Sequence, residues 1–302
     1  MSTPPSSSAL YDAAARASAA CVLARYSTSF ARATRLLDEP VRGHVRNVYG
    51  LVRLADEVVD ASTLPLTRDQ RADLLDDLQA ETTRATERGF STNLVVHAFA
   101  LTARECGIGP ELVDPFFASM RTDLDRSTHD EASFATYVHG SAEVVGLMCL
   151  RVFVAAEPGT EADHDARYEA LTDGATRLGA AFQKVNFLRD LAADRDELGR
   201  SYFPGVGAGH LTDARRDALL DDVDADLAAA AHAIAALPTS SRRGVQAAHD
   251  LYAALSRRLR ATPATTIERR RVRVPGAVKL LVVARTLVGP VTSRLLPTWA
   301  RP

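Results

Sequence analysis

Two pairs of aspartates, each spaced four residues apart, are the strongest chemical signal in this sequence. Asp190 and Asp194 belong to the stretch 183–204, and Asp56 and Asp60 lie far upstream of it. On an α-helix, residues i and i+4 lie on one face with their Cβ atoms about 5–6 Å apart. Mg²⁺ prefers oxygen ligands and usually binds through one or two carboxylates together with substrate phosphates. The two pairs are therefore candidate ligands for divalent cations that hold a phosphorylated substrate.

Polar residues accompany each pair on the same helical face. The downstream pair shares roughly 80° of arc with Gln183 and Asn186, and the upstream pair shares its face with Tyr49 and Arg53. Apolar residues cover the rest of both helices, which predicts that these helices are buried. Because a buried carboxylate without a partner is costly, a bound cation explains the arrangement. One such pair alone is typical of a solvated helix face, but two pairs on apolar helices favour a metal site.

The composition is that of a globular protein with a sizeable core. The chain has 302 residues, of which 46% are hydrophobic and 25% are charged. Its net charge of −2 argues against a nucleic-acid partner. The three cysteines are far apart and form no C-x-x-C pair, so they indicate neither a disulfide framework nor a zinc site, and a reducing cytoplasm fits best. We expect no signal peptide and no membrane span, because the sequence lacks a basic and apolar leader and any apolar run of about 18 residues.

Hydrophobic residues recur at helical spacing through most of the chain, and the alternating pattern of strands is nearly absent. We therefore predict an all-α protein, a single large helical bundle over 9–302 that follows a disordered Pro- and Ser-rich segment, 1–8. Facing helices in such bundles place metal sites in the core. The predicted helices cover 9–25, 40–60, 67–88, 92–106, 111–125, 133–156, 162–198, 212–236 and 239–261.

Several segments permit a structural and a functional interpretation. The hydroxyl-rich break 26–30 is either the N-cap of the next helix or a set of donors for a phosphate group. The small residues in 140–146 allow the close approach of another helix or of a ligand chain. The basic and apolar segment 274–300 either lies on an anionic membrane surface, at the inner face of the cell membrane, or packs onto the bundle. Asp73 and Asp77 belong to a charged segment, and we expect them to be solvated.

The order and spacing of four motifs resemble those of the squalene/phytoene synthase family of head-to-head isoprenyl transferases. The resemblance extends from about residue 20 to about residue 285. Within the family, the motifs are most similar to those of the bacterial phytoene synthases. The motifs are Y-S-T-S-F at 26–30, R-L-A-D-E-V-V-D at 53–60, V-G-L-M at 145–148 and Q-x-x-N-x-x-R-D-x-x-x-D-x-x-x-x-G-R-x-Y-F-P at 183–204.

This resemblance implies an isoprenoid synthase fold in which the two aspartate motifs face each other across a central cavity. They would hold Mg²⁺, or Mn²⁺ in its place, which binds the substrate diphosphates. The metal ligands implied are Asp56, Asp60, Asn186, Asp190 and Asp194, and the catalytic residues are the four aspartates with Arg53 and Tyr202. The substrate-binding residues implied are Ser27, Ser29, Phe30, Tyr49, Tyr137, His139, Gln183, Asn186, Arg189, Arg200 and, on a looser match, Arg271. Phe30, Val144, Leu147 and Phe182 would line an apolar chamber for the prenyl tails.

Two positions depart from the family pattern. Glu57 stands where many relatives have a second aspartate, although the spaced pair Asp56 and Asp60 is kept. His139 stands where relatives usually have an aromatic residue near the reacting carbons, which puts the late steps of the reaction in question.

The resemblance implies the condensation of two geranylgeranyl diphosphates to phytoene through a cyclopropylcarbinyl diphosphate, in carotenoid biosynthesis. One alternative is a squalene or dehydrosqualene synthase that acts on two farnesyl diphosphates. Squalene formation would need NADPH, which we do not expect, and the sequence has no G-x-G-x-x-G fingerprint. Another alternative is a non-catalytic relative that acts as an interaction protein.

Overall fold

The computed structural model describes residues 6–60, 65–206, 211–273 and 276. These residues form an all-α structure, as predicted, in which the one isolated β-bridge of the described part joins Thr128 and Ser201. The helices are α1 (Ser7–Tyr26), α2 (Thr28–Thr34), α3 (Val41–Asp60), α4 (Arg68–Arg88), α5 (Leu94–Cys106), α6 (Pro110–Asp125), α7 (Glu131–Val138), α8 (Val144–Ala155), α9 (Glu161–Leu198), α10 (Asp213–Ala236), α11 (Thr239–Arg260) and α12 (Ala264–Ile267), and a π-helical turn (His139–Glu143) joins α7 to α8.

The first helix begins earlier than the sequence analysis predicts. The hydroxyl of Ser6 accepts a hydrogen bond from the backbone N–H of Ala9 at 3.2 Å, and α1 begins at Ser7. A serine in this position satisfies a backbone donor that the helix itself leaves free. The expectation of disorder over 1–8 is therefore wrong for the last three of these residues, while 1–5 lie outside the described residues.

The hydroxyl-rich break contains a helix cap. Ser27 accepts a hydrogen bond from the backbone N–H of Phe30 at 3.2 Å and caps α2, a short helix that the sequence analysis did not predict. The N-cap interpretation is confirmed. At the other end of the chain, 274–300 lies outside the described residues apart from Gly276, so membrane association and cytoplasmic location stay predictions.

One continuous helical stretch, Glu131–Ala155, is long and apolar enough to cross a membrane by length and composition alone. Half of its most apolar window is buried inside the fold. Met148, Leu150 and Val152 are at most 1% exposed. Because these side chains pack against other helices, the stretch has the burial of a core helix.

Helix α9 lies between the two main parts of the core. On one side, α3, α5, α6 and α8 enclose a cluster that includes the fully buried Phe99, Phe116 and Phe117. On the other side, α9 packs on α10 and α11 around Leu188 and Leu220. The helix that bears the downstream aspartates is therefore buried, as its apolar residues predict.

Close backbone packing fixes α9 against α8 and the π-helical turn. A Cβ atom at Gly146 would lie 2.7 Å from the carbonyl oxygen of Ala175, and one at Gly179 would lie 2.6 Å from that of Ala142. No side chain fits at these distances, so the small residues permit the approach. Gly146 and Ala142 also line an apolar cavity. The helix-packing interpretation of 140–146 is therefore confirmed, and its small residues also face space that a ligand chain could occupy.

We expect Gly179→Ala to lower the free energy of unfolding by about 1–3 kcal/mol, because the added methyl group forces α8 and α9 apart. Urea denaturation measures the change. Gly43→Ala in α3 is the matched control, since a Cβ there meets only the flexible carboxylate of Glu39, at 3.3 Å. The control should be neutral or slightly stabilising. An unchanged midpoint for Gly179→Ala would show that the backbone contact is not required.

Candidate active site

Arg200 joins the two helices that bear the aspartate pairs. It follows α9, and its Nη1 donates to Asp60 Oδ1 on α3 at 2.8 Å while its Nη2 donates to the carbonyl of Val59 at 3.0 Å. Arg200 is 7% exposed, whereas the side chain of Asp60 is 36% exposed, so the ion pair lies at the edge of the interior. It ties the end of α9 to the end of α3.

The chain after α9 is shaped to place Arg200. Gly199 has φ +68°, the left-handed conformation that favours glycine, and it caps α9. The backbone N–H of Arg200 donates to the carbonyl of Asp194 at 2.9 Å, and that of Ser201 donates to the carbonyl of Ser127 at 2.7 Å. These bonds fix the turn both to α9 and to the loop between α6 and α7.

Negative charge accumulates where the two aspartate pairs meet. Burial raises the pKa of Asp56 to about 7, and the neighbouring Asp60 is the second cause. Burial likewise raises the pKa of Asp194 to about 7, and Asp190 and Asp60 add to the shift. Because Asp60 acts on both carboxyl groups, the pairs of α3 and α9 lie within electrostatic reach of each other.

Arg53 has one donor group left free beside the upstream pair. Its Nη2 donates to Glu57 at 2.5 Å, its Nη1 lies 3.7 Å from Asp56, and its guanidinium carbon lies 4.4 Å from the centroid of the Tyr26 ring. Its Nε is buried and has no hydrogen-bond partner among the described residues. A buried cationic donor of this kind is suited to an oxygen of an anionic ligand.

Two arginines contact Asp190. Arg189 donates to it through two nitrogens, with Nε at 3.0 Å from Oδ1. Arg271 lies in the segment after α12, and its Nε is 2.6 Å from Asp190 Oδ1. The backbone N–H of Val272 donates to the carbonyl of Arg189 at 3.3 Å and ties this segment to α9. The fold therefore brings Arg271 to the site, although its sequence match was the loosest.

The sequence analysis missed Asp123, near the end of α6. Its side chain is 4% exposed, its Oδ2 accepts from the Tyr137 hydroxyl at 2.6 Å, and its Oδ1 accepts from the Tyr202 hydroxyl at 3.2 Å. Arg200 Nη1 lies 3.9 Å from Asp123 Oδ2. Burial raises the pKa of Asp123 to about 6 against the opposing effect of Arg200. No local pattern distinguishes Asp123 from the exposed Asp125, because its partners come from distant segments.

Tyr137 and Tyr202 lie beside the carboxylates. Their ring centroids are 5.1 Å apart, and Tyr202 stacks on Phe187 at 4.1 Å. Tyr202 also lines a small cavity of about 20 Å³ with Asp194 and Arg200. Burial raises the pKa of both tyrosines, so their hydroxyls remain protonated donors at neutral pH.

An apolar cavity of about 250 Å³, the chamber, lies along the neighbouring part of α9. Gln183 and Asn186 form its polar end. Gln183 Nε2 donates to Ser141 Oγ at 3.2 Å, and Asn186 Oδ1 accepts from the hydroxyl of Tyr252 at 3.3 Å. Tyr252 also stacks on Phe182 at 3.8 Å between ring centroids. Tyr252 is a second residue of the site that the sequence analysis missed, since nothing in its own helix marks it.

The expected lining of the chamber is confirmed in part. Phe30 and Phe182 line it, and Phe30 stacks on the predicted site residue Tyr49 at 5.6 Å. Val144 and Leu147 do not line it and are instead buried in the hydrophobic core. By the helical repeat, Val144 and Leu147 lie on a different face of α8 from Val145. Val145 and other residues on its face line the chamber instead.

His139 does not line the chamber, and its place near the reacting carbons stays a prediction. Its side chain is 50% exposed, and its Nδ1 lies 2.9 Å from Glu143 Oε2. His139 is the first residue of the π-helical turn, whose wider backbone rotates the residues that follow. Ser141 lines the chamber, whereas His139 does not.

The phosphate-binding role of the hydroxyl-rich break stays a prediction. Ser27 caps α2, and Ser29 lies within that helix, but the structure does not describe its side chain.

The residues where the two aspartate pairs meet fit a divalent cation. Four carboxylates converge there, and their repulsion contributes to the raised pKa values of Asp56 and Asp194. Within the described ranges, no group of three or more His, Cys, Asp or Glu side chains is placed to hold a metal ion by itself. Mg²⁺ would therefore bind through one or two of these carboxylates and complete its coordination with water and substrate phosphate. Asn186 Oδ1 accepts one hydrogen bond, from Tyr252, and its second lone pair could contact a cation.

Residues 23–277 match the sequence profile of the squalene/phytoene synthase family. The chain belongs to this family. Its general activity is therefore that of a prenyltransferase-type synthase, and the substrates of the family are prenyl diphosphates.

Individual relatives agree with this assignment. The 15-cis-phytoene synthase of Paracoccus sp. is 27% identical over 253 residues, which cover 78% of each chain. The phytoene synthase of Mycobacterium tuberculosis is 28% identical over 277 residues, which cover 85% of each chain. A crystal structure of a dehydrosqualene synthase in complex with ligand superposes with a TM-score of 0.74 at 18% identity, covering 92% of this chain and 97% of that one. This likeness confirms the predicted isoprenoid synthase fold.

Protein freed of metal by a chelator is expected to unfold at a higher temperature near pH 6 than near pH 8. An acid whose pKa is raised by folding stabilises the folded state below its unfolded pKa of about 4, and this contribution is lost as the pH rises through the folded pKa. The folded pKa is about 7 for Asp56 and for Asp194. Thermal unfolding followed by circular dichroism measures the difference.

Asp194→Asn removes one of these acids and should reduce the difference between the two pH values. Asp196→Asn is the matched control two residues away, because pairing with Arg195 lowers the pKa of Asp196 and keeps it ionised at both pH values. A melting temperature that is equal at both pH values in the wild type would contradict the assigned pKa shifts.

Proposed function

We propose that the protein is a phytoene synthase that condenses two geranylgeranyl diphosphates with the help of Mg²⁺. The observation that supports this most strongly is the junction on α9 between a carboxylate- and arginine-rich end and an apolar chamber. Asn186, at the polar end of the chamber, lies one helical turn before Asp190. A molecule with a charged diphosphate head and a long hydrocarbon tail matches both parts.

The charged end would bind and orient the diphosphates. Arg53 offers its unpaired Nε, and Arg189 and Arg271 lie where they can exchange part of their pairing with Asp190 for diphosphate oxygens. Bound Mg²⁺ would supply positive charge that stabilises the departing diphosphate. Arg200 holds Asp60 in place for this arrangement.

The reaction takes place in two halves. Loss of diphosphate from one substrate leaves an allylic cation, and the C2=C3 double bond of the second substrate attacks it. Proton loss then closes a cyclopropylcarbinyl diphosphate. Loss of the second diphosphate, rearrangement and a second proton loss yield phytoene, so that two substrates give one hydrocarbon, two diphosphates and two protons.

The chamber would protect the cations. Its walls are mainly aliphatic and aromatic, and water that entered would trap a cation as an alcohol. Phe182 and Tyr252 present stacked rings at the polar end, where the charge develops. Aromatic faces attract cations without reacting with them.

The interaction-protein alternative gains no support from the site. A relative without activity has no reason to retain both aspartate pairs, because the raised pKa values of Asp56 and Asp194 cost stability in the absence of a cation. The farnesyl alternative differs only in the length of the tail, and it is decided by the product formed.

Purified protein with Mg²⁺ should convert geranylgeranyl diphosphate to a C40 hydrocarbon without NADPH, as detected by mass spectrometry. Farnesyl diphosphate is offered in a parallel reaction, with and without NADPH. A C30 hydrocarbon as the main product would replace the proposed substrate with farnesyl diphosphate. Absence of product from both substrates would contradict the proposed activity and favour the non-catalytic alternative.

Asp56→Ala and Asp190→Ala should each reduce turnover roughly 100-fold or more, because the departing diphosphate loses its stabilising charge. The helical circular dichroism signal should be retained. Asp73→Ala and Asp77→Ala are matched controls, since this pair has the same spacing but is exposed on α4. Full activity in both site variants would overturn the metal assignment.

A further inference from the structure

Along α9, Leu171 is the chamber residue farthest from Asn186 and from the carboxylates. Other large apolar side chains of the lining are Leu37, Phe153, Ile234 and Leu237. These four are at most 7% exposed. They belong to the loop after α2, to α8 and to the end of α10.

Hydrogen bonds join two loops and the start of α11 next to this part of the chamber. The backbone N–H of Asp38 donates to the carbonyl of Ser240 at 2.9 Å, which joins the loop after α2 to the start of α11. The Ser240 hydroxyl donates to Glu157 Oε1, in the loop after α8, at 3.3 Å. These hydrogen bonds fix separate segments of the chain to one another in this region. A longer tail could extend the chamber here only by breaking them.

The residues of α9 give the depth of the chamber. Asn186, Phe182, Leu178, Ala175 and Leu171 line it at successive turns. At 1.5 Å per residue, the distance from Asn186 to Leu171 along α9 is about 22 Å, and the distance to Ala175 is about 16 Å.

These depths distinguish two lengths of prenyl tail. Carbon–carbon bonds of about 1.5 Å in an extended chain advance roughly 1.25 Å each. The 16-carbon main chain of a geranylgeranyl group then spans about 19 Å, and the 12-carbon main chain of a farnesyl group spans about 14 Å. A farnesyl tail that begins beside Asn186 ends before Ala175, whereas a geranylgeranyl tail passes Ala175 and ends near Leu171.

We propose that Ala175 is the residue that admits the last isoprene unit of a C20 tail, and that Leu171 forms the stop beyond it. This rests on the proposed function of the site. Ala175 is suited to the role because its small side chain leaves the passage open. The adjacent Gly174 is not, since a Cβ there would lie 2.1 Å from the Cβ of Ala233 and would disturb the packing of α9 on α10.

The test is the ratio of kcat/KM for geranylgeranyl diphosphate to kcat/KM for farnesyl diphosphate. Ala175→Leu should lower this ratio roughly 10-fold or more, because the deep part of the chamber is filled and the last isoprene unit loses its burial. Turnover of farnesyl diphosphate should change little. Ala170→Leu is the matched control, at an exposed position of the same helix, and should leave the ratio unchanged.

Leu171→Ala provides a second measurement that does not depend on the stability of Ala175→Leu. It should allow turnover of a C25 prenyl diphosphate that the wild type does not accept. If folded Ala175→Leu has the wild-type ratio, or if that variant is unfolded and Leu171→Ala gains no C25 product, the proposal is wrong. Absence of turnover in the wild type itself would instead overturn the proposed function.

Discussion

The placement of four aspartates in a partly buried site, where desolvation and repulsion both oppose their charge, is the constraint on which the rest of the site depends. The pKa values of Asp56 and Asp194 are raised to about 7 by burial and by neighbouring aspartates. Arg200 compensates part of this charge through its bond to Asp60, and it is faced in turn by Asp123. Each arginine of the site has an aspartate partner within the protein. The negative charge of the aspartates that the arginines leave over would be neutralised by a cation, which in turn would bind a diphosphate.

The chamber lowers the stability of the folded protein, because the side chains around it have fewer contacts than in a close-packed core. Protein interiors are normally close-packed, and an empty volume of this kind sacrifices dispersion contacts. The cavity of about 250 Å³ lies beside the place where α8 and α9 come into close backbone contact. A hydrocarbon tail would restore the lost contacts when it binds. The chamber and the charged end thus belong to one site arranged along a single helix.

Much of the helical structure could be predicted because it depends on neighbours a few residues apart. The apolar repeat placed the long helices, and the hydroxyl-rich break was correctly interpreted as a cap by Ser27. The π-helical turn could not be predicted, because its residues have no pattern that differs from an α-helix. His139, the first residue of this turn, has an exposed side chain that contacts Glu143, which its sequence position does not indicate.

The sequence by itself determined which residues share a helical face, because the 3.6-residue repeat is a local property of the backbone. The aspartate pairs, with Arg53 and Asn186 on the same faces, were identified in this way. Only the tertiary structure decided which faces meet. Asp123, Tyr252 and Arg271 reach the site from α6, from α11 and from the segment after α12. Their positions depend on how helices far apart in the chain pack together, and no local spacing encodes that packing.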